Sequence, residues 1–262
     1  MKKFILIIFL LILTGNISFA QIMQGGISST YEYKQPMHSV IDKNTNKPIV
    51  NAKISVPSKN YTTYSDINGH FQLKTQIDNK TMLSVEKQNY KPYSITINKD
   101  SVYNPFVLKI EKSSNYDIKL QSGLCHLGDN NFSNLSANAG QFKKNSTGPV
   151  YKTNFYISDK LSAHQNYLII GSIIGIDTAL AQGLGQNNIT NAFATPPTVY
   201  LNGVKITEIK INGDNQKIKL PHHLIKWNNT NEIIIKAGIN LMQTAYIDYD
   251  DIEFMNLHIS TN

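Results

Sequence analysis

The chain has 262 residues, 41% of them hydrophobic and 16% charged, with a formal net charge of +7. That balance excludes a disordered polyelectrolyte and allows one or two domains of ordinary size. All 25 residues of the Lys+Arg class are Lys, and they form no basic block. Base readout and phosphate forks lean on the planar Arg guanidinium, so the composition counts against nucleic acid as a partner.

Lys2 and Lys3 precede the apolar run Phe4–Leu13, and Thr14-Gly15-Asn16-Ile17-Ser18-Phe19-Ala20 follows. This is the charged, apolar and small-residue order of an export signal. The run is too short to cross a bilayer, which takes about 20 apolar residues. The expectation is cleavage after Ala20 and a mature chain in the periplasm, at the cell surface or in the medium, with no stable membrane insertion. Residues 21–37 read as an extended polar lead-in. Cys125, the single cysteine, sits in the apolar string Gly123-Leu124-Cys125-His126-Leu127 and reads as a small buried hydrophobe.

Strand signals recur from Ser39 onward. Val40-Ile41, Ala52–Val56, Thr62–Ser65, Phe71-Gln72-Leu73, Met82–Val85, Tyr93–Ile97 and Phe106–Ile110 are short β-prone runs separated by Asn, Asp, Gly and Pro. Alternation leaves each strand one buried face, so two sheets pack face to face. The string Asp42-Lys43-Asn44-Thr45-Asn46-Lys47-Pro48-Ile49-Val50-Asn51-Ala52 resembles the opening of carboxypeptidase regulatory-like domains. Ser65-Asp66-Ile67-Asn68-Gly69-His70-Phe71 and Gln88-Asn89-Tyr90 are similar to two further elements of that family. Asn89 replaces the usual Gly, and His38 stands where a Gly is common. The resemblance implies a transthyretin-like seven-stranded sandwich over residues 38–111 that serves as a non-catalytic accessory.

A second set of strands is expected at Tyr116–Leu120, Val150–Ile157, Tyr167–Gly171, Thr198–Gly203, Thr207–Ile211, Gln216–Leu220, Asn231–Gly238 and Asp251–Ile259. Thr178–Leu184 allows one or two helical turns. Eight such strands suit a jelly-roll β-sandwich over residues 112–262, and the whole chain is expected to be all-β. Leu220–Ile235 and Asp248–Ile259 resemble stretches of galactose-binding-like and carbohydrate-binding-module-like jelly rolls. That resemblance implies carbohydrate binding and a structural calcium. The polar segment Glu111–Asn115 separates two units expected to fold on their own.

The sites for chemistry are few. A zinc peptidase needs a His-x-x-Glu pair, and none of the seven His has Glu three residues on. The adjacent His222 and His223 would face apart on a strand. Asp248, Asp250, Asp251 and Glu253 form one acidic group and Asp129-Asn130-Asn131 another. Pairing of first and last strands would join them, with Asp251, Asp129 and Asn131 as calcium ligands or else as solvated turn acids. The Gly- and Asn-rich loop 181–197 supplies amides, and aromatic faces lie near. Gln182, Asn187, Asn188, Asn191, Phe193, Trp227 and Tyr246 are the candidate sugar contacts. No nucleophile elbow or phosphate loop appears. The expected function is therefore an exported, non-enzymatic protein that binds a glycan or cell-surface polysaccharide. A structural or adhesive protein that docks other surface proteins is the alternative, and a glycan hydrolase is a third.

Overall fold

A computed structural model describes residues 36–131, 142, 144–187 and 193–261. The export signal, the lead-in to residue 35, and Asn188 and Asn191 lie outside the described residues. The described chain is almost all β, as the alternation requires.

The first sheet pair contains β1 (His38–Asp42), β2 (Lys53–Val56), β3 (Tyr61–Tyr64), β4 (His70–Phe71), β5 (Thr81–Glu86), β6 (Tyr93–Ile97) and β7 (Val107–Ile110). Its sheets run β4-β1-β7 and β3-β2-β5-β6. Val40, Phe71, Leu108 and Ile110 from one sheet meet Ile54, Val56, Leu83 and Val85 from the other in a closed core. β1 and β7 are parallel and the remaining pairs antiparallel.

The second pair contains β8 (Ile118–Gln121), β9 (Cys125–Leu127), β10 (Val150–Ile157), β11 (Asn166–Ile174), β12 (Thr198–Leu201), β13 (Val204–Glu208), β14 (Gly213–Lys219), β15 (Asn229–Lys236) and β16 (Ile252–Thr261). Its sheets run β10-β15-β12-β13 and β14-β11-β16-β8, with β9 beside β16. The turn between β12 and β13 puts Asn202 at φ 51° and Gly203 at φ 86°, two left-handed residues that match the twist of a tight hairpin. A short helix, α1 (Ala179–Gly183), is capped by Thr178, whose hydroxyl accepts from the Ala181 N–H. Cys125 is buried in the core of this pair. His222 and His223 fall in a single 3-10 turn rather than on a strand, and the His222 ring lies 5.0 Å from that of Trp227.

The two sheet pairs share a seam. β5 is buried on both faces: Leu83 and Val85 enter the first core, while Met82 packs with Leu124, Phe142, Ile174 and Met255. Burying a side chain such as Met82 stabilises by about 1.5–3 kcal/mol, as an upper figure. Hydrogen bonds cross the seam, although Ser94 Oγ and Asn256 Oδ1 are buried there with no hydrogen-bond partner among the described residues. Asn256 donates to Ser84 Oγ at 3.0 Å and to the Tyr93 carbonyl at 2.9 Å. Asp214 accepts from the Thr96 N–H at 2.9 Å. Gly171 is required here, because a Cβ would stand 2.5 Å from Ser94 Oγ and 2.7 Å from Asn256 Cβ. Among the described residues every non-glycine with positive φ is an Asn, Asn89 at φ 67° among them. Asn is the side chain that tolerates this region best after Gly.

Candidate functional site

One end of the second sheet pair gathers polar side chains from four stretches of chain. The strand-to-helix turn after β11 carries Asp177. The turn after β9 carries Asp129 and Asn131. Isolated bridges pair Ala194 with Asn240 and Ile239 with Tyr249, which folds the segment before β16 across the sheet end. That segment carries Asp248, Asp250 and Asp251.

Asp248 accepts from Asn131 Nδ2 at 3.0 Å and from Asn240 Nδ2 at 2.9 Å. Asp250 accepts from the Asp177 N–H at 3.2 Å, and Asn187 Nδ2 donates to Asp177 Oδ1 at 3.2 Å. Asp177, Asp248 and Asp250 are buried. With Asn131, Asn240 and Phe193 they enclose a space of about 10 Å³, room for one water or one bare cation. Burial, and then the Asp177 charge, push the Asp250 carboxyl well above the usual range. Burial also raises Asp248, helped by Asp129 and Asp251 and opposed by the two amides.

Asp251 faces another way. Its Oδ1 meets His126 Nε2 at 2.8 Å and accepts from the Asn130 N–H at 3.3 Å. Its Oδ2 is buried without a hydrogen-bond partner among the described residues. Gly128, at φ 143°, allows this, since a Cβ there would lie 2.0 Å from Asp251 Oδ1. Asp129 is spent on the N–H groups of Asn131 and Tyr249. Of the expected ligands Asp129, Asn131 and Asp251, only Asn131 borders the enclosed space. Asp177, Asp250 and Asn240 join it. Asp177 carries no local sequence signal, because only long-range folding brings it beside Asp248, whereas Asn240 reaches Asp248 from eight residues away.

A hard cation fits this donor set in kind. Three buried carboxylates with two amides offer the oxygen ligands that calcium takes. Among the described residues no three His, Cys, Asp or Glu side chains already converge as metal ligands, so amide and backbone oxygens would have to contribute.

The expected sugar contacts divide. Gln182 lies on α1, Asn187 is bound to Asp177, and Phe193 borders the enclosed space, its carbonyl accepting from the Leu241 N–H at 2.8 Å. Tyr246 is 52% exposed, and its hydroxyl accepts from Asn131 Nδ2 at 2.8 Å. Trp227 is not with them. It precedes β15, while Tyr246 lies beyond the strand's other end, and that strand is roughly 25 Å long. Trp227 instead packs against the core.

Residues 39–118 match the model of the CarboxypepD_reg-like domain family. No curated protein matches the chain. Among solved structures, the chain is similar to a putative beta-galactosidase from Bacteroides fragilis at 14% identity, covering 42% of this chain and 15% of that one, with a TM-score of 0.25. It is similar to the β-glucuronidase of Ruminococcus gnavus in its apo form at 12% identity, covering 56% of this chain and 29% of that one, with a TM-score of 0.29. The same enzyme in complex with C6-substituted uronic isofagomine gives 13% identity, 56% and 30% coverage and a TM-score of 0.30. The chain thus spans less than a third of the length of these enzymes.

Proposed function

We propose that this is an exported, non-catalytic glycan-binding protein. The ligand binds at the Tyr246 end of the second sheet pair, and the CarboxypepD_reg-like domain serves as its accessory module. The observation that carries the reading is Tyr246 itself. Its ring is open to solvent while its hydroxyl is held by Asn131, the residue that also holds Asp248. An aromatic face fixed in advance suits the apolar face of a sugar ring, because little side-chain freedom is lost on binding. Gln182 supplies hydrogen bonds to hydroxyls.

A calcium ion would be held by Asp177, Asp248 and Asp250 with the Asn131 and Asn240 amides. Bound there, it supplies positive charge that keeps the loops bearing Tyr246 and Phe193 in place. The acids support a binding role rather than hydrolysis, since the space they enclose admits a water or an ion and no sugar. Export follows from the reading of residues 1–20. No helix of the described residues is long and apolar enough to cross a membrane.

The test is a glycan array on residues 21–262, followed by titration of the best ligand. Affinity is expected in the micromolar to millimolar range, since each net hydrogen bond is worth only about 1 kcal/mol. Tyr246→Ala is expected to weaken binding roughly tenfold, the scale of one aromatic contact, with little change in melting temperature. A second reading, docking of another surface protein, is favoured by the exposed apolar side chains Ile239, Leu241, Met242 and Ile247 beside Tyr246. No glycan binding at millimolar concentration, with Leu241→Ser abolishing capture of a protein partner, would put that reading first.

A further inference from the structure

A cleft of about 510 Å³ opens between the two sheet pairs, lined by Lys53, Lys87, Lys91, Lys119, Tyr90 and His258 among others. A second hollow of about 410 Å³ shares Lys53 and Glu86 with it and continues past Tyr61 toward Ser122 and Leu124. Together they make one groove that follows β2 from Asn51 to Pro57, about 20 Å at the rise of a strand. Clefts between packed domains are where ligands are most often bound.

The charge in the groove is unbalanced. Lys91 is spent on Glu111 at 3.1 Å and Asp117 at 3.5 Å. Lys87 donates to the carbonyls of Val50 and Asn51, at 2.7 and 3.5 Å, and among the described residues its charge has no counter-ion. Lys53 reaches Glu86 only at 3.9 Å. Lys119, exposed on the edge strand β8, pairs with no carboxylate among the described residues. Four lysines, Lys53, Lys87, Lys91 and Lys119, therefore line the cleft against the two carboxylates of Glu86 and Asp117, while Glu111, beside Lys91, is shared with Lys43.

The groove also carries neutral donors and acceptors. His258 lies opposite Lys119 in the β16–β8 register. Burial lowers its pKa, and its Nδ1 meets the Asn256 carbonyl at 3.4 Å. With the proton on Nδ1, Nε2 is an acceptor, the complement of a hydroxyl. Asn51, Gln88 and Ser113 add further hydroxyl partners. Lys is a compact cation that answers single carboxylates or sulfates spaced along a chain, whereas planar bidentate recognition is the work of Arg.

The geometry points to an acidic polysaccharide, a sugar chain bearing carboxylate or sulfate groups, lying along the groove between the two sheet pairs. This surface shares no residue with the Tyr246 end. It rests on the glycan-binding reading only for the general class of ligand.

The test is calorimetric titration of the intact chain with polygalacturonate, dextran sulfate, unmodified dextran and polyglutamate. One or both acidic polysaccharides are expected to bind, and binding is expected to disappear at about 0.5 M salt, where exposed charges are screened. Lys119→Gln and Lys87→Gln should each weaken it roughly threefold, and the double variant roughly tenfold, the scale of exposed charge pairs. Tyr246→Ala should leave this binding unchanged, and that result together with an empty glycan array would sink the proposed function while keeping the groove. Equal binding of unmodified dextran would overturn the inference. So would equal binding of polyglutamate with the same lysine dependence, which would assign the groove to an acidic protein segment. Failure of both acidic polysaccharides to bind overturns it outright. Loss on Tyr246→Ala with silent lysine variants would overturn it and leave the proposed function standing.

Discussion

Asp42 and Asp250 are both carboxylates taken out of water, one in each sheet pair, and they are held in opposite states. Asp42 accepts from the N–H groups of Thr45 and Asn44 and from the Tyr90 hydroxyl. The Thr45 bond, with Tyr90 and Asn44, holds its pKa down at about 2 against the cost of burial. Asp250 has the Asp177 N–H, but burial first, and then the charges of Asp177, Asp251 and Asp248 around it, drive its pKa up. Desolvation, the number of donors aimed at a carboxylate and the sign of its neighbours together decide its charge, and at Asp42 the donors win while at Asp250 burial and like charges do. The turn at Asp42 is self-sufficient. At the acidic end of the second sheet pair Asp250 faces other carboxylates, and under the proposed function a proton or a cation balances it.

The largest effect is expected from Asp251→Ala. It takes away the carboxylate that meets the buried His126 Nε2, and breaking a buried pair costs roughly 3 to 5 kcal/mol. Chemical denaturation should show the same loss with calcium and with chelator. A loss that vanishes in chelator would instead make Asp251 a calcium ligand.

The next effect contrasts a buried base with the buried acids. Among the described residues His38 has no hydrogen-bond partner for either ring nitrogen, and it packs against Phe71 and Phe106 with ring centroids at 5.2 and 4.1 Å. Burial lowers its pKa from 6.5 to about 4. The unfolded chain then binds a proton that the folded chain refuses, so stability falls as pH drops from 6.5 toward 4. The loss amounts to about 3 kcal/mol once pH 4 is reached. His38→Phe should remove that slope in denaturation measured across this range. A slope that survives the substitution would place the acid-sensitive group elsewhere.

The smallest of the three concerns calcium. A ligand that binds only the folded chain stabilises it by about 2.7 kcal/mol at a hundred times its dissociation constant. Calcium should raise the melting temperature, and Asp248→Asn should remove most of the difference while leaving the Asp42 turn untouched. Identical melting curves in chelator and in excess calcium would mean that protons, not a cation, balance the acidic end.

Much of the fold was legible because it is local. Period-two alternation places Leu83 and Val85 toward one core, and Asn202-Gly203 or Asn89 mark turns whatever the rest of the chain does. Strand ends were less so: β13 begins at Val204, directly after its turn, rather than at Thr207. The candidate site was half legible. Asn131, Asp248 and Tyr246 were readable as acids, amides and aromatics near strand ends. Trp227 had the right chemistry, but β15 carries it to the other end.

By itself the sequence determined an all-β chain, a carboxypeptidase regulatory-like first module and the turns that join its strands, since these depend on residues a few positions apart. Only the tertiary structure decided the seam and the acidic end. Asn256 meets Ser84 across 172 residues and Asp250 meets Asp177 across 73, and no local pattern records which buried polar atoms will find each other. The strand alternation that marks one buried face also could not announce that β5, β11 and β16 would be buried on both, because the second face is covered by a sheet from elsewhere in the chain.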